Sequence, residues 1–326
     1  MFSLTVLIIL SLIFNYLNGF HDSANIVATI IYSRAMPPRM ALTLTAMAEF
    51  IGPFLFGVAV ARTIGEELVP PGSVNQAVIL ATLIVAIFWN LFTWYFGLPS
   101  SSSHALVGGI IGAVSAGVGI QAILLPGLIK VLAALFLSPV LGLVAGFLIT
   151  RLTYFLARNA RPSINRFFSG AQVVTGVGLA LSHSANDAQK TIGIITLGLM
   201  VNGVISKFEV PLWVVALSSL AMALGTGTGG WRLIRTLGCK FYKIRPINGF
   251  CTQIAAAGVI LGAALLGGPA STTQVVSSAI LGVGSAERVK KVRWGVAGNI
   301  ITAWLLTIPV SALLSALLYS LIKNWM

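Results

Sequence analysis

The sequence is poor in charge. Of its 326 residues only 8% are Asp, Glu, Lys or Arg, against about 25% in an ordinary soluble domain. Acidic residues are scarcest, with seven Asp+Glu facing 20 Lys+Arg. So little polar surface cannot clothe a water-soluble body of 34.2 kDa. That excludes a soluble enzyme, a disordered chain and a nucleic-acid module, so no nucleic-acid partner is expected. Cys239 and Cys251 are too few for a disulfide framework, and neither stands in a metal-ligand spacing. A Ser-His-Asp order is also missing. Gly225–Gly230 lacks the Lys-Ser/Thr ending of a phosphate loop and suits close helix packing instead. No catalytic residue, resident metal or cofactor is expected.

What is present is apolar: 57% of residues are hydrophobic and the mean hydropathy is +0.97. In such a chain a net charge of +13 reads as the positive-inside signal of a membrane protein. Thirteen of the 20 basic residues fall in three stretches. These are Arg151, Arg158, Arg161 and Arg166; Arg232, Arg235, Lys240, Lys243 and Arg245; and Arg288, Lys290, Lys291 and Arg293. Long apolar runs separate them, at about 20 residues per crossing. Met1 to Asn18 lacks a basic leader and reads as a retained first helix. Further spans are expected near Ala41–Ala61, Gln76–Phe96, Ala105–Gly119, Ala122–Ile149, Gly170–Ser206, Pro211–Gly229, Ile247–Leu266, Gly268–Gly284 and Trp294–Ile322. The number of crossings between basic clusters is even, which puts 151–166, 232–245 and 288–293 on one side, the cytoplasmic one. Glu66, Glu67 and Glu209 then lie outside.

Four polar segments interrupt the apolar runs. They are Asn18-Gly-Phe-His-Asp-Ser-Ala-Asn25, Leu98-Pro-Ser-Ser-Ser-Ser-His104, Ser182-His-Ser-Ala-Asn-Asp-Ala-Gln-Lys190 and Gly268-Pro-Ala-Ser-Thr-Thr-Gln274. They pair. Asp22 aligns with Asp187 and Asn25 with Lys190. Ser101, Ser102 and Ser103 align with Ser271, Thr272 and Thr273. The chain therefore reads as two related membrane repeats, 1–150 and 170–326, joined by a basic connector, 151–169. An odd number of spans before each Asp motif suggests that the repeats are inverted, an architecture common among transporters, with the site where broken helices meet. The expected fold is an all-α integral membrane protein, a polytopic bundle of two inverted repeats with broken helices and re-entrant hairpins.

One Ser/Thr cluster after proline is ordinarily just a helix cap, and one Asp in an apolar run can be a helix–helix hydrogen bond. Duplication in matched order asks for more. A helix start rich in hydroxyls and free N–H groups is an anion site. Two such starts would hold a tetrahedral oxyanion with neutral donors that can release it again. Ser101, Ser102, Ser103, Ser271, Thr272 and Thr273 are the candidate ligands, with Asn25 nearby. An ionisable group in a bilayer is costly and functional by default, which selects Asp22, Asp187 and Glu49. Two carboxylates beside an anion need a cation, or a substrate that brings its own proton. Monobasic phosphate has O–H donors and sulfate has none, so the pair favours phosphate.

These residues resemble the inorganic phosphate transporter family of the PiT type, whose hallmark is a duplicated Gly-Ala-Asn-Asp-like signature followed by Pro-x-Ser-(Ser/Thr)-(Ser/Thr)-His. Gly229-Gly-Trp-Arg-Leu-Ile-Arg-Thr-Leu-Gly238 and Ala303-Trp-Leu-Leu-Thr-Ile-Pro309 also look like the family. The resemblance implies a symporter in the bacterial cytoplasmic membrane. It also implies phosphate held between the halves, a homodimer, and one part moving against a scaffold in the lipid bilayer. Two departures stand out. Gln189-Lys190 replaces the Ala-Asn of sodium-coupled members, and Gln274 replaces the second His. Lys190 is then a built-in cation where a coupling ion would bind, with Asp22, Asp187, Asn186 and Glu49 completing the coupling set. That resembles the bacterial proton-linked subgroup, for which carriage of phosphate as a neutral metal complex is implied. Sodium coupling and sulfate transport on the same scaffold are the alternatives.

Overall fold

The computed structural model describes residues 2–239 and 244–323, and every regular element among them is helical. Lys240 and Lys243 of the second basic stretch lie outside the described residues. The elements are α1 (Phe2–Tyr32), α2 (Pro38–Leu55), α3 (Ala59–Arg62) with a π-helical turn Thr63–Glu67, α4 (Gln76–Phe96), α5 (Ser102–Gly117) and α6 (Leu125–Leu156). They continue with α7 (Ile164–Val201), α8 (Leu212–Thr228), α9 (Trp231–Cys239), α10 (Pro246–Leu265), α11 (Thr272–Glu287) and α12 (Trp294–Ile322). Helix is the form that lets an apolar chain satisfy its own backbone in lipid. Among the described residues five helices are long and apolar enough to cross a membrane. Two bent pairs, α2 with the α3–π segment and α8 with α9, raise the number to seven.

The polar segments and the bends fall in different places. The polar segments 18–25 and 182–190 do not interrupt their helices: α1 and α7 run straight through them. Their polar side chains are buried, and Asp22, Asn25, Asp187, Gln189 and Lys190 find partners on other elements while the helical backbone continues unbroken. The breaks lie elsewhere. The span expected over Ala41–Ala61 ends at Leu55 and turns by 70°, and the corresponding bend between α8 and α9 is 69°. Each turn passes through a glycine in the left-handed region, Gly57 (φ 76°) and Gly229 (φ 73°), where side chains are disfavoured. Each is stapled by a neighbour of an Asp motif. Gln189 Oε1 accepts from Val60 N at 2.8 Å while its Nε2 donates to Gly57 O at 2.7 Å. Ser23 Oγ accepts from Gly230 N at 2.8 Å. The basic connector is largely helical as well, because α6 extends to Leu156 and α7 begins at Ile164. Trp294–Ile322 is one helix with Pro309 inside it.

The order of elements repeats. A long helix carrying Asp (α1, α7) is followed by a bent pair (α2–α3, α8–α9) and an apolar helix (α4, α10). A short helix after a Pro-containing turn (α5, α11) and a long helix with an interior proline (α6, α12) complete each set. The packing is exchanged between the sets: α5 lies on α12, α11 on α6, α1 on α8 and α7 on α2. Glycines make these approaches close. A Cβ on Gly112 would stand 1.9 Å from Ala312 O, one on Gly282 2.1 Å from Leu143 O, and one on Gly225 2.0 Å from Tyr16 O. Small residues at helix crossings are how membrane helices gain contact without a hydrophobic driving force.

Direction follows from the same contacts. Gly108, Gly112 and Gly117 meet Ile308, Ala312 and Tyr319 in turn, so α5 runs parallel to α12; Gly142 and Gly146 meet Val275 and Ala279, so α11 runs parallel to α6. The C-terminal ends of α6 and α11 and the start of α10 share one basic cleft, which Arg151, Arg245 and Arg288 line. Helix α12 begins at this end and leads away from it. Helices α5 and α11 therefore run in opposite directions, with their N-termini facing each other inside the bundle. Trp304, about 15 Å along α12 at the usual helical rise, donates its indole N–H to Pro99 O at 2.9 Å and fixes the depth of that turn. At the far end, Lys130 near the start of α6 pairs with Glu67 at 2.8 Å.

Candidate functional site

The two facing helix starts bring most of the selected residues together. Ser101 caps α5, accepting from His104 N at 3.1 Å, and its hydroxyl lies 2.7 Å from His104 Nδ1. Ser102 and Ser103 form the buried first turn. Ser103 Oγ donates across to Ala270 O, in the turn before α11, at 3.1 Å. Thr272 and Thr273 form the first turn of α11 and donate to the carboxylates: Thr272 Oγ1 to Asp187 at 2.6 Å, Thr273 Oγ1 to Asp22 at 2.8 Å. Asn25 Nδ2 donates to Thr273 Oγ1 at 3.0 Å. Gln274 and His104 sit side by side, 3.4 Å apart.

Among the described residues Lys190 is the one buried ammonium. It is 1% exposed, pairs with Asp187, and donates to Ser103 Oγ at 2.5 Å and Ala270 O at 2.9 Å. One side chain of α7 thus ties both helix starts to a carboxylate. Removing any ionic group from water costs several kcal/mol unless it is paired and hydrogen-bonded, and here every donor of the ammonium has an acceptor.

Sequence reasoning missed the part played by His183, which lies inside the Ser182–Lys190 segment but was not among the selected residues. The imidazole is completely buried. Its Nδ1 lies 2.6 Å from Glu49 Oε1, and its Nε2 lies 3.1 Å from Asp187 and 3.6 Å from Asp22. It is the partner that Glu49 lacked in the sequence. The signal was its position four residues before Asp187, one turn away on the same face of α7. Thr226 of α8 also donates to Glu49. Asp22, His183 and Asp187 each offer a ligand atom within 4.8 Å of the others, close enough to hold a metal ion, a triangle that ligand spacing did not reveal.

Other selected residues stand apart from this centre. Asn186 turns to the carbonyl of Gly268 at 2.9 Å, in the hairpin before α11. Ser271 is buried at the start of α11 and its hydroxyl is without a hydrogen-bond partner among the described residues. On α1 the Asp22 face continues outward through Asn18, Asn15 and Ser11, at intervals of four, three and four residues. All three are buried with unpartnered polar atoms among the described residues.

Charge decides what this centre can do. Three buried carboxylates face one ammonium, so the interior is short of positive charge. His183 touches all three carboxylates and is placed to carry a proton among them. Donors and acceptors for an oxyanion converge at the same point, on helices that run in opposite directions.

Comparison with known proteins agrees with this geometry. Residues 18–315 match the model of the phosphate transporter family. A "probable low-affinity inorganic phosphate transporter" of Rhizobium meliloti is 45% identical over 96% of this chain and 94% of its own. One of Bacillus subtilis is 43% identical over 98% and 97%. A solved structure, "The sodium-dependent phosphate transporter", superposes over all of both chains with a TM-score of 0.90 at 26% identity. With Lys190 and the paired Asp motifs at its centre, the chain belongs to the phosphate transporter family.

Proposed function

We propose that this chain imports inorganic phosphate by proton-linked symport across a bacterial cytoplasmic membrane. It works as two inverted repeats, 1–150 and 170–326, with the basic ends of α6, α9, α10 and α11 inside, and it acts as a homodimer. The observation that carries the coupling is Lys190, whose ammonium joins Asp187, Ser103 and the Ala270 carbonyl. A fixed cation there fills the place of a mobile one, which leaves the proton as the coupling ion.

Phosphate binds between the two helix starts. Ser101, Ser102, Ser103, Ser271, Thr272 and Thr273, with the adjacent backbone N–H groups, donate to its oxygens, and Asn25 holds Thr273 in place. Asp22 and Asp187 accept the phosphate O–H groups once Thr272 and Thr273 turn their hydroxyls from carboxylate to substrate. Glu49, His183 and Asp187 pass the coupling proton, and the polar stripe of Ser11, Asn15 and Asn18 marks its approach from the face opposite the basic cleft. The Asp22–His183–Asp187 triangle favours a second reading, in which phosphate travels as a neutral complex with a divalent metal.

The carboxylates predict selectivity. Arsenate matches phosphate in shape and in protonation, whereas sulfate matches in shape alone and would place unprotonated oxygens against Asp22 and Asp187. Excess arsenate is therefore expected to suppress labelled phosphate uptake, and sulfate at equal concentration to leave it within about twofold. An unmet carboxylate contact costs about 1–3 kcal/mol, a loss of about fivefold to a hundredfold. Equal inhibition by both anions would mean the carboxylates do not read the substrate's protons, and a sulfate permease would then fit as well.

A further inference from the structure

The seam between α6 and α10 carries a feature the transport site does not use. At the basic end, a cleft of about 1010 Å³ collects Arg151 from α6 and Arg158 from the turn after it, Arg245 from the start of α10, and Arg288 and Lys290 beyond α11. Its one carboxylate, Glu287, accepts from Tyr154 and from Asn248 Nδ2 at 2.8 Å. Among the described residues none of the five cations is in an ion pair. Two are held against aromatic faces, Arg151 over Phe147 at 5.5 Å and Arg158 over Phe155 at 4.8 Å. Phe155 also lines the cleft and is 60% exposed, in line with Leu148 and Leu152 at 58% each.

One turn deeper on the same two helices, an apolar groove of about 640 Å³ begins at Leu148 and runs to Lys130 on α6, with Gly258 and Gly262 of α10 opposite. That stretch of α6 is about 27 Å long at the usual helical rise. A Cβ added to Gly258 or Gly262 would meet nothing within 4 Å, so the missing side chains leave the groove open. A polyvalent basic pocket directly above an apolar channel of acyl-chain length is complementary to one ligand chemistry at both ends.

We infer that the α6–α10 seam binds an anionic phospholipid, its phosphate headgroup in the cleft of Arg151, Arg245 and Arg288 and one acyl chain along the groove floored by Gly258 and Gly262. A phosphodiester satisfies the guanidinium donors, and each basic residue near a membrane surface strengthens anionic-lipid binding several-fold. The seam borders the packing of α11 on α6, so an occupied seam steadies the element that carries Thr272 and Thr273.

The test is native mass spectrometry of the full chain with phosphatidylglycerol or phosphatidylcholine. Phosphatidylglycerol is expected to be retained about tenfold better, and R151Q/R288Q to bring the two lipids to parity. R158Q/K290Q, on the same cleft, is a second charge pair expected to act alike, so misfolding of one pair leaves the test intact. G262L, which fills the groove, is expected to reduce retention of both lipids. Equal retention of the two lipids by the unmodified protein overturns the inference. So does displacement of phosphatidylglycerol by excess inorganic phosphate, which would mark a free-anion site. If G262L instead dissociated a dimer and left lipid retention unchanged, the groove would hold a second copy of the chain and the inference would fall.

Discussion

Lys190→Asn is expected to cut sodium-free phosphate uptake by about tenfold or more and to make the remainder respond to sodium. The ammonium is buried and joins Asp187, Ser103 and the Ala270 carbonyl. Its removal leaves a buried carboxylate without its cation, a loss on the order of 3–5 kcal/mol when no substitute arrives. Asn is short enough to open the position and supplies an amide oxygen for a small hard cation. Lys190→Met opens less space and offers no oxygen, so it is expected to be inactive with or without sodium. The assay is labelled phosphate uptake by cells or vesicles at matched expression, with sodium replaced by choline. If the Asn variant remained strictly proton-dependent with no sodium stimulation, Lys190 would not be standing in for a coupling ion.

His183→Gln is expected to abolish uphill uptake, a fall on the order of a hundredfold or more, the size of losing a positioned proton carrier. Glutamine keeps a donor and an acceptor within reach of Glu49 and Asp187, so the cluster can still assemble. It cannot accept a proton at either end. Phosphate exchange between equal pools needs no net proton movement and is expected to survive. The split between lost accumulation and retained exchange separates a coupling role from a structural one, since a collapsed site would lose both. Asp22→Asn tests the same cluster from α1, and uptake unchanged by it would remove Asp22 from the coupling scheme.

Much of this was legible in the residues. The helical membrane fold follows from scarce charge, and the facing helix starts follow from Pro99–Ser103 and Pro269–Thr273, where proline and hydroxyls mark an N-terminus. Lys190 stood out because it broke the pattern of the first copy. What the sequence hid were contacts between distant segments. His183 gains its meaning from Glu49, 134 positions earlier, and no periodicity reports that the two side chains meet. The positions of the bends were hidden for a related reason. Polar residues at 18–25 and 182–190 looked like interruptions, but partners on other helices let them stay helical. The real bends sit at Gly57 and Gly229, and Gln189 and Ser23, read as parts of a site motif, cap them.

The two halves also divide labour in a way alignment alone would blur. Asp22 and Asp187 both receive threonine hydroxyls from α11, whereas Ser103 of α5 meets Lys190 and a carbonyl. The carboxylates therefore meet hydroxyls of α11, while the cation spans both helix starts through Ser103 and the Ala270 carbonyl. Motion that separates α5 from α11 would part Lys190 from Ser103 or from Ala270 and open the gap between the two helix starts.

The most direct test of proton-linked phosphate transport is accumulation in proteoliposomes of the purified chain under an imposed gradient. With an inward proton gradient and no sodium, phosphate is expected to rise inside above the external concentration and to fall back when an uncoupler collapses the gradient. Accumulation driven by a sodium gradient at equal pH on both sides, with none driven by protons, would contradict the account.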